Sequence, residues 1–174
     1  NPVTDALCGE GIRRAARSLQ VACDRPDDLA AREDLALASL LSGIALANAG
    51  LGAVHGLAAP LGGMFNAPHG ALCAILLGPV MAANAAALPA AGRDRFCDVA
   101  GWLTGREGAG IEDGIGRVFE LASALHIPGL RAMGVAADRL DEVVERARQA
   151  SSMKGNPVKL PDAALRQILE AAMG

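Results

Sequence analysis

The sequence predicts an all-α protein, a multi-helix bundle, on three observations. Its apolar content of 52% is built mostly from Ala and Leu, which lose little freedom on entering a helix. Aromatic residues make up only 2%, Tyr is absent, and the β-branched residues that suit a pleated sheet are scarce. Apolar positions also recur every three or four residues, the period of one helix face. A chain of 174 residues is expected to form one domain with a real core.

Each element follows from local chemistry. Asn1-Pro2 reads as an N-cap with proline in the first turn, and Asp5 sits near the positive end of that helix dipole. Cys8, Ile12, Ala15 and Leu19 carry the helix to about Ala22. Pro26-Asp27-Asp28 opens a second helix, charged early at Arg32, Glu33 and Asp34 and then apolar all round through Leu46. It ends over residues 48–52. A helix apolar on every face belongs at the centre of a bundle. A short third helix over residues 54–59 is expected to stop at Pro60-Leu61-Gly62-Gly63. A fourth starts at Asn66-Ala67-Pro68-His69 and runs to about Ala86, kinked at Pro79. Beyond Pro89 the pattern turns amphipathic, with helices over residues 93–103, 112–125, 138–150 and 162–173.

Charge and cysteine usage exclude several classes. Net charge is −3 and the arginines alternate with acids, so no basic stripe is available to a phosphate backbone and nucleic-acid binding is excluded. Cys8, Cys23, Cys73 and Cys97 are widely separated, with neither paired metal spacing nor a disulfide framework, which fits a reduced, cytoplasmic setting. Cys73 reads most simply as a small core hydrophobe. No basic-then-apolar leader opens the sequence. Residues 35–54 are long enough to span a bilayer. The uncharged run nevertheless carries Asn48, His55, Pro60, Asn66, Pro68, His69 and Asn84, without a Lys/Arg flank or an aromatic belt, and is expected to be soluble core rather than membrane.

From residue 35 to residue 92 there is no Lys, Arg, Asp or Glu, and two of the three histidines, His55 and His69, lie inside that run. Imidazole is the commonest protein ligand for a divalent transition metal, and two of them make half a tetrahedral site. The spacing alone matches no generic metal motif. Glycines at 50, 52, 56, 62, 63 and 70 are expected to let the backbone approach both rings closely. His126, before Ile127-Pro128, reads as a structural residue at a helix C-terminus, and Asn66 as a helix cap. Trp102 and Phe96 read as packing residues. No dinucleotide or phosphate loop and no Ser-His-Asp arrangement is present.

The segment GLGAVHGLAAPLGGMFNAPHGALCAILLGPVMAAN, residues 50–84, resembles the signature of the iron-containing alcohol dehydrogenase family. There a histidine follows Gly-Leu-Gly, then comes Pro-Leu-Gly, and a Pro-His-Gly opens a helix ending near an Asn. TDALCGEGIRRAARSL is similar to the family helix that follows the first metal ligands. HIPGLRAMGV and GNPVKLPDAALRQILEAAM are similar to its late Gly-Ile-Pro segment and final helix, so the likeness runs along essentially the whole chain.

The resemblance implies the helical metal-binding domain of the dehydroquinate synthase-like fold, spanning residues 1–174, preceded in the family by a dinucleotide-binding α/β domain. It implies Fe²⁺, or Zn²⁺, held by one Asp and three His, with NAD(P) as hydride carrier and a small alcohol or aldehyde as substrate. By motif position His55 and His69 match the last two histidine ligands, while the Asp and the first His belong to a helix upstream of Asn1. Asp5 looks similar to that Asp, yet Gly9 stands where its paired His is required, so Asp5 reads as a first-turn acid. Phe65 and Asn66, between the histidine helices, are candidate substrate-cleft residues. Ala59 replaces a further cleft histidine that many members carry, and Leu77-Gly78-Pro79-Val80 replaces Leu-Leu-Pro-His, as in a divergent or maleylacetate reductase-like branch. With half the ligands and no cofactor fold, the isolated chain is expected to bind metal weakly and to be inactive. Uncovered apolar surface is expected to favour a homo-oligomer. A reading from another class stays open: a non-catalytic helical interaction module with vestigial histidines.

Overall fold

The computed structural model describes residues 1–174 and contains no strand, as the composition predicts. Its eight α-helices are α1 (Pro2–Asp24), α2 (Leu29–Ala49), α3 (Ala53–Phe65), α4 (His69–Ala87), α5 (Asp94–Thr104), α6 (Ile111–Ala124), α7 (Leu140–Gln149) and α8 (Asp162–Ala171). They sort into two compact units. One comprises Asn1–Gly50 and Ala90–Leu125, the other Leu51–Pro89 and His126–Gly174.

In the first unit α1 begins as its sequence dictates. The Asn1 side chain accepts from the Val3 and Thr4 amides, both at 3.1 Å, and Thr4 completes the capping box. Asp5, in the first turn, accepts from both Nη atoms of Arg95 at 3.0 and 2.9 Å, which accounts for it without a metal. Asp34 ties α2 to α1. It accepts from Arg14 at 2.6 Å, Arg17 at 2.7 Å and the Ser18 hydroxyl at 2.6 Å. The Arg17 guanidinium, and then Ser18, hold its carboxyl well below the usual carboxylate range. One expectation fails here. α2 is apolar all round yet lies at no bundle centre, because only Ala31 and Ala45 along it are buried, while Leu40 and Ile44 are 59% and 42% exposed. Its packed stripe is spent on α1, where the Asp34 ion pairs join the two helices, and its other apolar side chains stay exposed.

The second unit holds the larger apolar core. Leu57, Leu61, Leu72, Leu76, Val143 and Leu169 are each completely buried. α4 is long and apolar enough to cross a membrane by composition, and its Leu72, Leu76 and Val80 all lie within this core.

Two boundaries differ from expectation. α3 does not stop at Pro60 but runs five residues further, to Phe65, with Pro60 inside it. Proline removes only the one bond its N–H would give to Gly56, and the burial of Leu57 and Leu61 on the same helix outweighs that loss. The true stop is Asn66, whose left-handed backbone (φ 53°, ψ 31°) turns the chain while its N–H donates to Gly62 O at 3.0 Å. Asn66 therefore closes α3 instead of opening α4, which starts without any side-chain cap. Pro79 also lies inside its helix, and α4 continues past it to Ala87.

Candidate metal centre

His55 is the third residue of α3 and His69 the first of α4, so the start of each helix sets the position of one ring. The first helix is anchored from a distance. Asn156 Oδ1 accepts the Ala53 N–H at 3.0 Å, supplying the cap that Gly52 cannot. Asn156 Nδ2 donates to Asn84 Oδ1 at 2.7 Å and to Val158 O at 2.8 Å, which fixes the beginning of α3 to the far end of α4. Asn84 is only 5% exposed, and no buried side-chain N or O atom in the protein lacks a partner.

With the helices so held, the imidazoles converge. Their ring centroids lie 5.5 Å apart and the planes are tilted by 52°. His55 is half-buried and His69 exposed. Burial, and secondarily the neighbouring His69, pushes the His55 pKa below its ordinary value of 6.5. At neutral pH that ring is unprotonated and keeps a nitrogen lone pair, the form a divalent ion requires. Two such nitrogens at one place suit Zn²⁺ or Fe²⁺, so the residues present fit the metal that the motif implies.

Cys73 lies one turn after His69 on α4, and its Sγ is 3.5 Å from His69 Nε2. It is half-buried and packs at the margin of the core, as its apolar surroundings suggest. Burial pushes its thiol pKa up. Beside His55 and Cys73 opens a cavity of about 500 Å³, lined chiefly by apolar groups such as Val54, Leu77 and Met81, with Asn84 as a polar edge. A larger cavity of about 1060 Å³ in the first unit is lined by charges of both signs, among them the pairs Arg106 with Asp113 at 3.5 Å and Arg117 with Glu120 at 3.4 Å. It holds no histidine, and the donor chemistry belongs to the smaller one.

The other sequence candidates lie elsewhere. Phe65 packs against the core of its unit, with the Arg139 guanidinium 5.2 Å from its ring centroid. Asn66 is exposed at the α3 terminus, and neither residue lines the cavity beside His55. His126 is exposed and left-handed (φ 52°), two positions past the end of α6. The glycines do not crowd the rings. Gly52 and Gly56 approach Asn156 and Met153, while Gly50, Gly63 and Gly70 have open space where a side chain would be. Sequence reasoning missed Asn156, whose partner Ala53 is 103 positions away and leaves no local signal. Cys73 did leave one: its spacing from His69 puts both on one helix face.

Comparison with known proteins supports the motif reading. Residues 1–173 match the model of the Fe-containing alcohol dehydrogenase family, C-terminal. The chain is 38% identical over 166 residues to 1,3-propanediol dehydrogenase of Klebsiella pneumoniae, covering 91% of this chain and 42% of that protein. Maleylacetate reductase 2 of Cupriavidus pinatubonensis is 44% identical over 90 residues, covering 52% of this chain and 25% of that protein. The crystal structure of 1,3-propanediol oxidoreductase superposes with a TM-score of 0.91 at 35% identity, covering 99% of this chain and 46% of that one. The chain thus spans less than half the length of the curated relatives it matches.

Proposed function

The chain belongs to the Fe-containing alcohol dehydrogenase family, and from that premise we propose that it is the metal-binding helical part of an NAD(P)-dependent oxidoreductase interconverting a small alcohol and its carbonyl. The observation that carries this reading is the convergence of His55 and His69 at one point of the second unit.

His55 and His69 would hold Fe²⁺ or Zn²⁺, and the ion would supply Lewis-acid polarisation of a substrate oxygen. Everything else falls to the chain's own groups. The depressed pKa of His55 keeps its ring free of a competing proton near neutrality. The Asn84–Asn156 pair keeps α3 from sliding along α4, which holds the two rings in reach of each other. The apolar cavity against His55 sheds water and accepts the carbon chain of a small alcohol or aldehyde. NAD(P) belongs to a dinucleotide-binding domain that these helices do not form, so the 174-residue chain by itself is expected to catalyse no NAD-linked turnover. A homo-oligomer in a reducing cytoplasm completes the reading, in keeping with four free cysteines.

Calorimetric titration with Zn²⁺, and with Fe²⁺ under anaerobic conditions, tests it. His55→Ala and His69→Ala should each abolish measurable binding while circular dichroism stays helical. Unchanged binding in both variants would sink the metal-binding reading.

A further inference from the structure

We propose that Gly155 is a positioning residue for His55, acting from far along the chain through the first turn of α3. The inference rests on the metal reading above and deepens it. Residues Ser151–Gly155 form a short 3₁₀ segment. This segment and the Asn156 that follows it lie against the start of α3 at three places where a side chain is missing. A Cβ on Gly155 would run into the Leu51 carbonyl oxygen. One on Gly52 would stand 3.1 Å from Asn156 Oδ1, and one on Gly56 2.7 Å from Met153 Cε. Residues 51, 52 and 56 thus meet 155, 156 and 153, and the two stretches run antiparallel.

Of the three contacts, the one at Gly155 has no give. Met153 Cε is the end of a flexible side chain and moves at little cost. Gly155 meets backbone, so any side chain there forces the two stretches apart. Its φ is not positive, so lack of space rather than backbone conformation is what excludes a side chain. Asn156 follows directly and moves with it. The Asn156 Oδ1 caps α3 through the Ala53 N–H at 3.0 Å. Ala53 and His55 share the first turn of α3, so losing that cap frays the turn that carries the ring. Through this seat Gly155 sets where the His55 imidazole meets His69.

Zinc titration of the full chain, paired with a thermal melt of each variant, tests the role. Gly129→Ala is the control, because a Cβ there would stand 2.6 Å from the Met173 carbonyl oxygen, a backbone clash of the same kind in the same unit. Gly155→Ala should weaken Zn²⁺ binding on the order of tenfold or more, the loss that altered outer partners of a metal site cause. Gly129→Ala should melt earlier than the parent yet keep the parental affinity, a split that a merely structural role for Gly155 would not produce. Gly52→Ala, whose Cβ would press on Asn156 Oδ1, should lose affinity in the same direction, and it decides the matter if Gly155→Ala does not fold. Parental affinity in the folded variant, or an equal loss in Gly129→Ala, overturns the positioning role and leaves the histidine centre standing. A folded parent that takes up no zinc overturns the histidine centre and the positioning role together.

Discussion

Asn84 and Asn156 pair their side-chain amides in both directions, Asn156 donating to Asn84 Oδ1 at 2.7 Å and Asn84 donating back to Asn156 Oδ1 at 3.2 Å. The same Asn156 oxygen caps α3 through the Ala53 amide. Replacing it with Ala removes those bonds at once and strands the buried Asn84 amide. Asn156→Ala should cost about 2–3 kcal/mol in urea unfolding, the scale of an unpaired buried polar group plus a lost cap. Parent-like stability would mean that the pair does not hold the helix.

Gly114 and Gly116 offer a paired test of how α5 and α6 meet. A Cβ on Gly114 would stand 2.8 Å from both the Cα and the Cβ of Ala100, whereas one on Gly116 would meet nothing within 4 Å. Gly114→Ala should destabilise by about 1–3 kcal/mol through overpacking. Gly116→Ala, in the same helix, should stabilise by about 0.5–1 kcal/mol. Thermal melts giving the same sign for both would contradict the close helix crossing.

His55 makes stability depend on pH with a definite sign. Its folded pKa lies below the ordinary 6.5, through burial first and His69 second, so the unfolded chain binds the proton more readily. Its contribution is complete above about pH 6.5 and is lost as pH falls through the folded value. Stability measured from pH 8 to pH 5 should fall, and His55→Gln should flatten the drop. A parent that gains stability over that range would contradict the assignment.

Leu40 and Ile44 share one face of α2 and are 59% and 42% exposed. If that face drives self-association, Leu40→Glu combined with Ile44→Lys should lower the weight-average mass in sedimentation while leaving the unfolding midpoint nearly unchanged. A parent that sediments as a monomer at high concentration removes the case for it.

The helix pattern was readable because caps and periodicity are local. Asn1 with Thr4, Asp28 and the amphipathic stripes of α5 to α8 all declare themselves within a few residues. What escaped was set by partners far along the chain or by a competition between terms. Pro60 signals a stop, and loses to the burial of Leu57 and Leu61. α2 signals a central helix by composition, but composition does not say which faces find partners. His55 and His69 were legible as a motif, whereas Asn156 was hidden by its distance from Ala53.

Only Asn66, Ala67 and Pro68 separate α3 from α4, so the interval between the two imidazoles is almost entirely helix. One residue inserted into α3 after His55 would rotate everything beyond it by about 100° about the helix axis. His69 would swing off target, although every side chain of the centre was still encoded. The spacing of this site therefore behaves as a reading register, in which point changes are graded but a single addition or deletion is all or none.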